Sequence, residues 1–234
     1  MLRPADRSAR RSGISKDLQI GVPWQQNRFL RGLAAAVLGL SLWTAIAPHD
    51  RSDWLLENLL VFAAAALLVA THRRFVFSNL SYLLIAVFLG LHLLGAHYTY
   101  SLTPPGFWVQ EAFGLERNPY DRFVHFAFGL LLGYPLREIT LRRLHVHGLA
   151  SYAIPLGSAL ALSASYELLE GWTARIVDPA LGTAFLGTQG DEWDAQKDMG
   201  LALAGAVLGL VGTALFRRRI GREPWVLLAP PRAA

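Results

Sequence analysis

FLGTQGDEWDAQKDMGLALAGAVLGLVGTALFRRR, residues 185–219, places three chemistries end to end. A glycine-rich turn leads into three aspartates, Asp191, Asp194 and Asp198. An unbroken apolar run follows, Met199–Phe216, and it closes on consecutive arginines. A helix that crosses the hydrocarbon core of a bilayer needs about 20 apolar residues. The run therefore reads as a membrane span with one acidic and one basic end. Ionisable groups at membrane depth are costly and mark functional sites by default, so the acidic end is where function is sought.

Working outward, five more stretches have the same character: Phe29–Ala47, Trp54–Thr71, Phe75–Ala96, Phe123–Leu136 and Ala150–Leu169. The one at 123–136 is short. It spans only with Asp121 or Arg122 and part of the segment after Leu136, and a buried core helix is its alternative reading. The composition agrees, at 53% hydrophobic and 17% charged, and the lack of cysteine excludes disulfides and thiolate metal sites. The pattern predicts an all-α, polytopic membrane bundle of six transmembrane helices. It forms one domain over residues 28–217, between basic tails at 1–27 and 218–234. The first tail is too long and polar for a secretory signal and is expected to be a disordered cytoplasmic segment.

Charge orients the bundle. With the N-terminus inside, the inner segments hold 17 of the 22 Lys and Arg residues, while 13 of the 17 acids fall outside. That is the positive-inside bias, and it predicts cytoplasmic termini. The net charge of +5 is thus a sum over two opposed surfaces. Topology accounts for the basic residues, and nucleic acid is not an expected partner; the lipid bilayer is. The outer connections are 48–53, 97–120 and 171–197, and the two long ones are expected to carry function.

Near those loops sit the residues that suit chemistry. Asp121 and His125 are one helical turn apart and share a face, although Asp121 also suits a helix N-cap. Glu167 and Glu170 lie at the outer end of the fifth stretch, where paired carboxylates repel unless a proton, a cation or a base lies between them. Asp191, Asp194 and Asp198 form one stripe if helix begins near Asp191. Gly205 and Gly209 have the spacing of close helix packing. Gly187, Gln189 and Gly190 form a turn able to offer backbone donors, without the lysine of a phosphate loop. His97 is a further polar candidate, and His92 suits an interhelical hydrogen bond. TPPGFW at 103–108 reads as a helix breaker, with Trp108 as an interfacial anchor.

Hard oxygen ligands with one or two imidazoles suit a divalent metal such as Mg, Mn, Zn or Ca. The expected ligands are Asp191, Asp194, Asp198 and Glu167. The expected catalytic group is His125, oriented by Asp121 and assisted by Glu167, as a general base. A metal-free acid–base set, or a polar network that only locks helices, fits the same residues.

HYTY at 97–100, RNPYDRFVHFAFG at 117–129, YELLEGW at 166–172 and FLGTQGDEWDAQKDM at 185–199 resemble the YjdF family of bacterial inner-membrane proteins, a domain without an assigned reaction. A looser similarity reaches the VanZ-like membrane proteins, through Asp121, Arg122 and His125, then Glu167, then Asp194 and Asp198. It implies a VanZ-like four-helix core with an outward polar site that acts on or binds an envelope lipid, its head group or a peptidoglycan component. A proton- or cation-coupled carrier and a structural or accessory membrane subunit are the alternatives. The motifs of lipid phosphatases are absent.

Overall fold

The computed structural model describes residues 21–229, so most of the N-terminal tail lies outside the described residues. The chain is all-helical, with no strand among the described residues. Six long helices carry the six apolar stretches: α1 (Arg28–Thr44), α2 (Arg51–Thr71), α3 (Asn79–His97), α5 (Tyr120–Arg142), α6 (Ala150–Ala174) and α8 (Asp194–Ile220). Two short ones, α4 (Pro104–Phe113) and α7 (Pro179–Leu186), lie in the long connections. Of these helices α2, α3 and α8 are long and apolar enough to cross a membrane.

The short helices correct the reading of both connections as loops. Pro104 and Pro105 do not break helix; they open one. A proline in the first turn gives up an N–H that has no intrahelical partner there, and its fixed φ suits the helix. Gly114, left-handed at φ 62°, ends α4. At α7, the Asp178 side chain accepts the Ala180 N–H and Gly187 terminates the helix at φ 59°.

Helix α5 is the hub, packed against α3, α6 and α8. It extends well beyond the short apolar stretch at both ends and buries Arg137 and Glu138 completely. Its closest neighbour is α8, and the sequence shows why. Asp121, His125, Gly129 and Gly133 recur every four residues on α5, as Asp194, Asp198, Ala202 and Ala206 do on α8, so each set lines one face. A Cβ on Gly129 would collide with the Ala202 carbonyl, and one on Gly205 with the Phe126 carbonyl. The small residues let the backbones touch, and this brings the polar first turns of both helices together.

At the other end of α5 the chain after Ile220 is not a free tail. Glu223 bonds Arg137 at 2.5 and 3.1 Å, and Trp225 is buried against Tyr134 and Leu141. The Trp225 N–H donates to the Tyr134 hydroxyl at 2.9 Å.

Candidate functional site

Three helices meet at the acidic end. The first two turns of α5 supply Asp121 and His125, the second turn of α8 supplies Asp198, and the last turns of α6 supply Glu167. His125 Nε2 lies 3.5 Å from Asp121 Oδ1 and 3.6 Å from Glu167 Oε1. Ligand atoms of Asp121, His125 and Asp198 all lie within 4.8 Å of one another. Two ligands each about 2.0–2.3 Å from one ion are separated by at most about 4.6 Å, so a shift of a few tenths of an ångström would let the three share one. Asp198 is only 2% exposed, and its Oδ1 has no hydrogen-bond partner; neither has Glu167 Oε1. Leaving such oxygens buried and unpaired is costly.

The neighbouring cations do not offset these charges. Arg117 pairs with Asp194, Arg122 with Asp191, and Lys197 with Asp191 at 2.5 Å. Among the described residues no Lys or Arg forms an ion pair with Asp121, Glu167 or Asp198. The expected ligand set is therefore divided. Asp198 stands with Asp121 and His125, and Glu167 beside them, while Asp191 and Asp194 belong to an arginine cluster. The stripe fails at Asp191 because α8 begins only at Asp194. Asp191 instead accepts from Lys197 and from the Trp193 N–H at 3.0 Å, and these bonds, the lysine's first, hold its carboxyl down at about 2.

Gln189 acts through its side chain rather than through a donor turn. Its Oε1 accepts from the Asn118 N–H and its Nε2 donates to the Asn118 carbonyl, both at 3.0 Å. Arg117 donates to the Thr188 carbonyl at 3.0 Å and the Gly187 carbonyl at 3.3 Å. Together they latch the segment before α5 to the segment before α8. Asp121 caps nothing: Pro119 occupies the N-cap position, and Asn118 accepts the Tyr120 N–H at 3.0 Å. His97 lies elsewhere, donating to the Thr44 carbonyl at 2.9 Å and stacked on Trp43 at 5.0 Å.

Behind the site runs a polar wall that joins His92, expected to make an interhelical hydrogen bond, to Glu57, Tyr100 and Tyr166. The ring of Tyr166 lies 6.0 Å from that of His125, and its hydroxyl donates to Glu57 Oε2 at 2.9 Å. His92 Nε2 donates to the Glu57 carbonyl at 3.1 Å, and the Tyr100 hydroxyl donates to His92 Nδ1 at 2.6 Å. Glu170 is buried one turn from Tyr166 on α6. The signal for Glu57 was available, since it is the one charged residue within Trp54–Thr71.

Comparison with known proteins places the chain in a family. The family model described as Predicted membrane protein (DUF2238) matches residues 29–219. The inner membrane protein YjdF of Escherichia coli (strain K12) is 42% identical over 179 residues, covering 76% of this chain and 85% of that protein. No solved structure matches the chain.

Proposed function

The chain belongs to the DUF2238 family of predicted membrane proteins, and from that premise we propose an inner-membrane protein that uses a divalent cation to bind or act on an envelope lipid head group. Its six long helices span the bilayer, both termini are cytoplasmic, and the acidic end faces outward. Asp121, His125 and Asp198 hold the ion, and Glu167 completes the cradle or takes up a proton. The observation that carries this reading is the group of three ligand atoms within 4.8 Å, with a buried Asp198 oxygen that nothing satisfies.

The chemistry follows from the donor set. Two carboxylates and one imidazole leave coordination positions open, as sites that act on a substrate require. Among the described residues His125 is the one base within 3.6 Å of both Asp121 and Glu167, so it can carry a proton when the ion is absent and a ligand bond when it is present. The residues of the VanZ-like resemblance that converge here, Asp121, His125, Glu167 and Asp198, favour an envelope lipid or peptidoglycan component as the substrate class. A proton- or cation-coupled carrier is the second reading, favoured by Glu57, which is 4% exposed and hydrogen-bonded to Tyr166 behind the site.

Elemental analysis and calorimetric titration of the purified protein with Mg, Mn, Zn and Ca test the metal. One ion per chain is expected in the wild type, with affinity lower by roughly 100-fold or more in Asp198→Asn and His125→Ala, since even outer-shell partners are worth about 10–100-fold. A wild type that binds none of these ions, or variants that bind as well as it does, would remove the proposal.

A further inference from the structure

Helix α4 turns its apolar side chains away from the protein. Trp108 is 69% exposed, Phe113 76% and Val109 42%, and Ala112 is exposed with them. On a helix these four positions lie along one side, and the exposed Glu111 lies off it. Gly106 is the one buried residue of α4, and none of the six long helices packs closely on it. At its start, however, α4 is firmly held. Asn118, which is 1% exposed, donates from Nδ2 to the Thr103 carbonyl at 3.0 Å. A Cβ on Gly106 would strike the Asn118 side chain. The backbone of the same Asn118 is gripped by Gln189, and its side chain accepts the Tyr120 N–H at the start of α5. The exposed face is thus tied to the helix that carries Asp121 and His125.

An exposed apolar face marks a surface that meets a protein, a ligand or a membrane. Position and length favour the membrane. The chain belongs to a family of predicted membrane proteins. Helix α3 is long and apolar enough to span and ends at His97, shortly before α4 begins at Pro104, so α4 stands where a span leaves the bilayer. Its 10 residues extend about 15 Å at 1.5 Å each, half of the roughly 30 Å hydrocarbon core. The helix is too short to cross, and it suits the interface, where tryptophan is enriched and a helix buries its apolar side about 5–10 Å deep.

We propose that α4 lies in the lipid interface of the leaflet beside the acidic end, with Trp108, Val109, Ala112 and Phe113 in the acyl boundary and Glu111 towards water. Through Asn118 it holds the first turn of α5 at the depth of the lipid head groups. The inference does not depend on a metal at Asp121, His125 and Asp198, and it stands or falls by a different measurement.

The chain has no cysteine, so single variants take one spin label each. Ala112→Cys, Phe113→Cys and Glu111→Cys are labelled in the full chain and reconstituted into vesicles of phosphatidylethanolamine and phosphatidylglycerol. Collision with oxygen, which concentrates in lipid, is compared with collision with a water-soluble nickel chelate present on both sides. The ratio of oxygen to nickel access should be several-fold higher at 112 and 113 than at 111. Nickel access at 112 or 113 equal to that at 111 places the face in water and overturns the proposal. Exclusion of both reagents at 112 and 113 means that protein covers the face, and overturns it equally. A second measurement needs no label: lipids brominated near the head group should quench the wild type more than Trp108→Phe, which keeps an aromatic ring. Equal quenching of the two proteins removes Trp108 from the bilayer and the proposal with it.

Discussion

Asp191 and Asp198 are seven residues apart, yet their surroundings make them opposites. Asp198 is buried among other acids without a cation, whereas Asp191 sits at the surface between Lys197 and Arg122. The consequence for Asp191 is a pH dependence with a definite sign. Its folded carboxyl is held at about 2, below the usual unfolded value of about 3.9. The stability this pairing contributes is therefore complete above about pH 4 and fades as pH falls towards about 2. In Asp191→Asn the slope of stability against pH in that window should become shallower, as read by denaturant unfolding at a series of acid pH values. An unchanged slope would mean that the pairing with Lys197 does not persist in solution. Because Asp191 is only partly buried and its partner Lys197 is half exposed, added salt should weaken the same contribution. From the sequence the two aspartates are members of one series. Only the place where α8 starts separates them, and sequence periodicity fixes helix ends poorly.

The contact between α5 and α8 is the element on which the site depends. Gly129 and Gly205 admit no Cβ against the facing backbone, so a larger side chain must push the helices apart. Gly205→Val should cost about 1–3 kcal/mol, the usual range for overpacking, and should also weaken metal binding although residue 205 touches no ligand. Gly200→Val is the control, since nothing lies within 4 Å of its Cβ position; it should bind metal as the wild type does. Titration calorimetry of both variants checks this, and equal affinities in the two would show that helix separation does not reach the site. The GxxxG spacing made this contact legible in advance. The helices α4 and α7 were not legible, because proline, paired at the start of α4 and single at the start of α7, carries the same letters whether it ends one helix or begins the next. What decides is the residue before it: Thr103 takes up extended backbone at the N-cap position, and Pro104 and Pro105 follow in the first turn.

Across the whole molecule, α5 buries ionic groups near both of its ends and treats them differently. At the basic end the two fully buried charges, Arg137 and Glu138, both have partners. Glu138 accepts from the Ser78 N–H at 2.8 Å and the Ser78 hydroxyl at 2.7 Å, and it pairs with Arg142. Arg137 is bonded to Glu223 and stands 4.2 Å over the Tyr152 ring. At the acidic end Asp121, Glu167 and Asp198 have no comparable partners. The charge asymmetry was legible in the sequence, because counting Lys and Arg against Asp and Glu needs no side-chain geometry. Which acids are satisfied was not, because Arg117 and Arg122 reach residues some 70 positions away. If the basic end is structural and the acidic end functional, two variants should fail in opposite ways. Glu223→Gln leaves the Arg137 guanidinium buried without its anion, a change that costs roughly 3–5 kcal/mol in comparable buried pairs, while metal affinity stays as in the wild type. Asp198→Asn removes a ligand and relieves repulsion among neighbouring acids, so metal binding should be lost while the metal-free protein melts no lower than the metal-free wild type. Melting curves and metal titrations of the two proteins side by side decide the matter. A Glu223→Gln protein that unfolds normally, or an Asp198→Asn protein that is markedly less stable without metal, would reverse the assignment of the two ends.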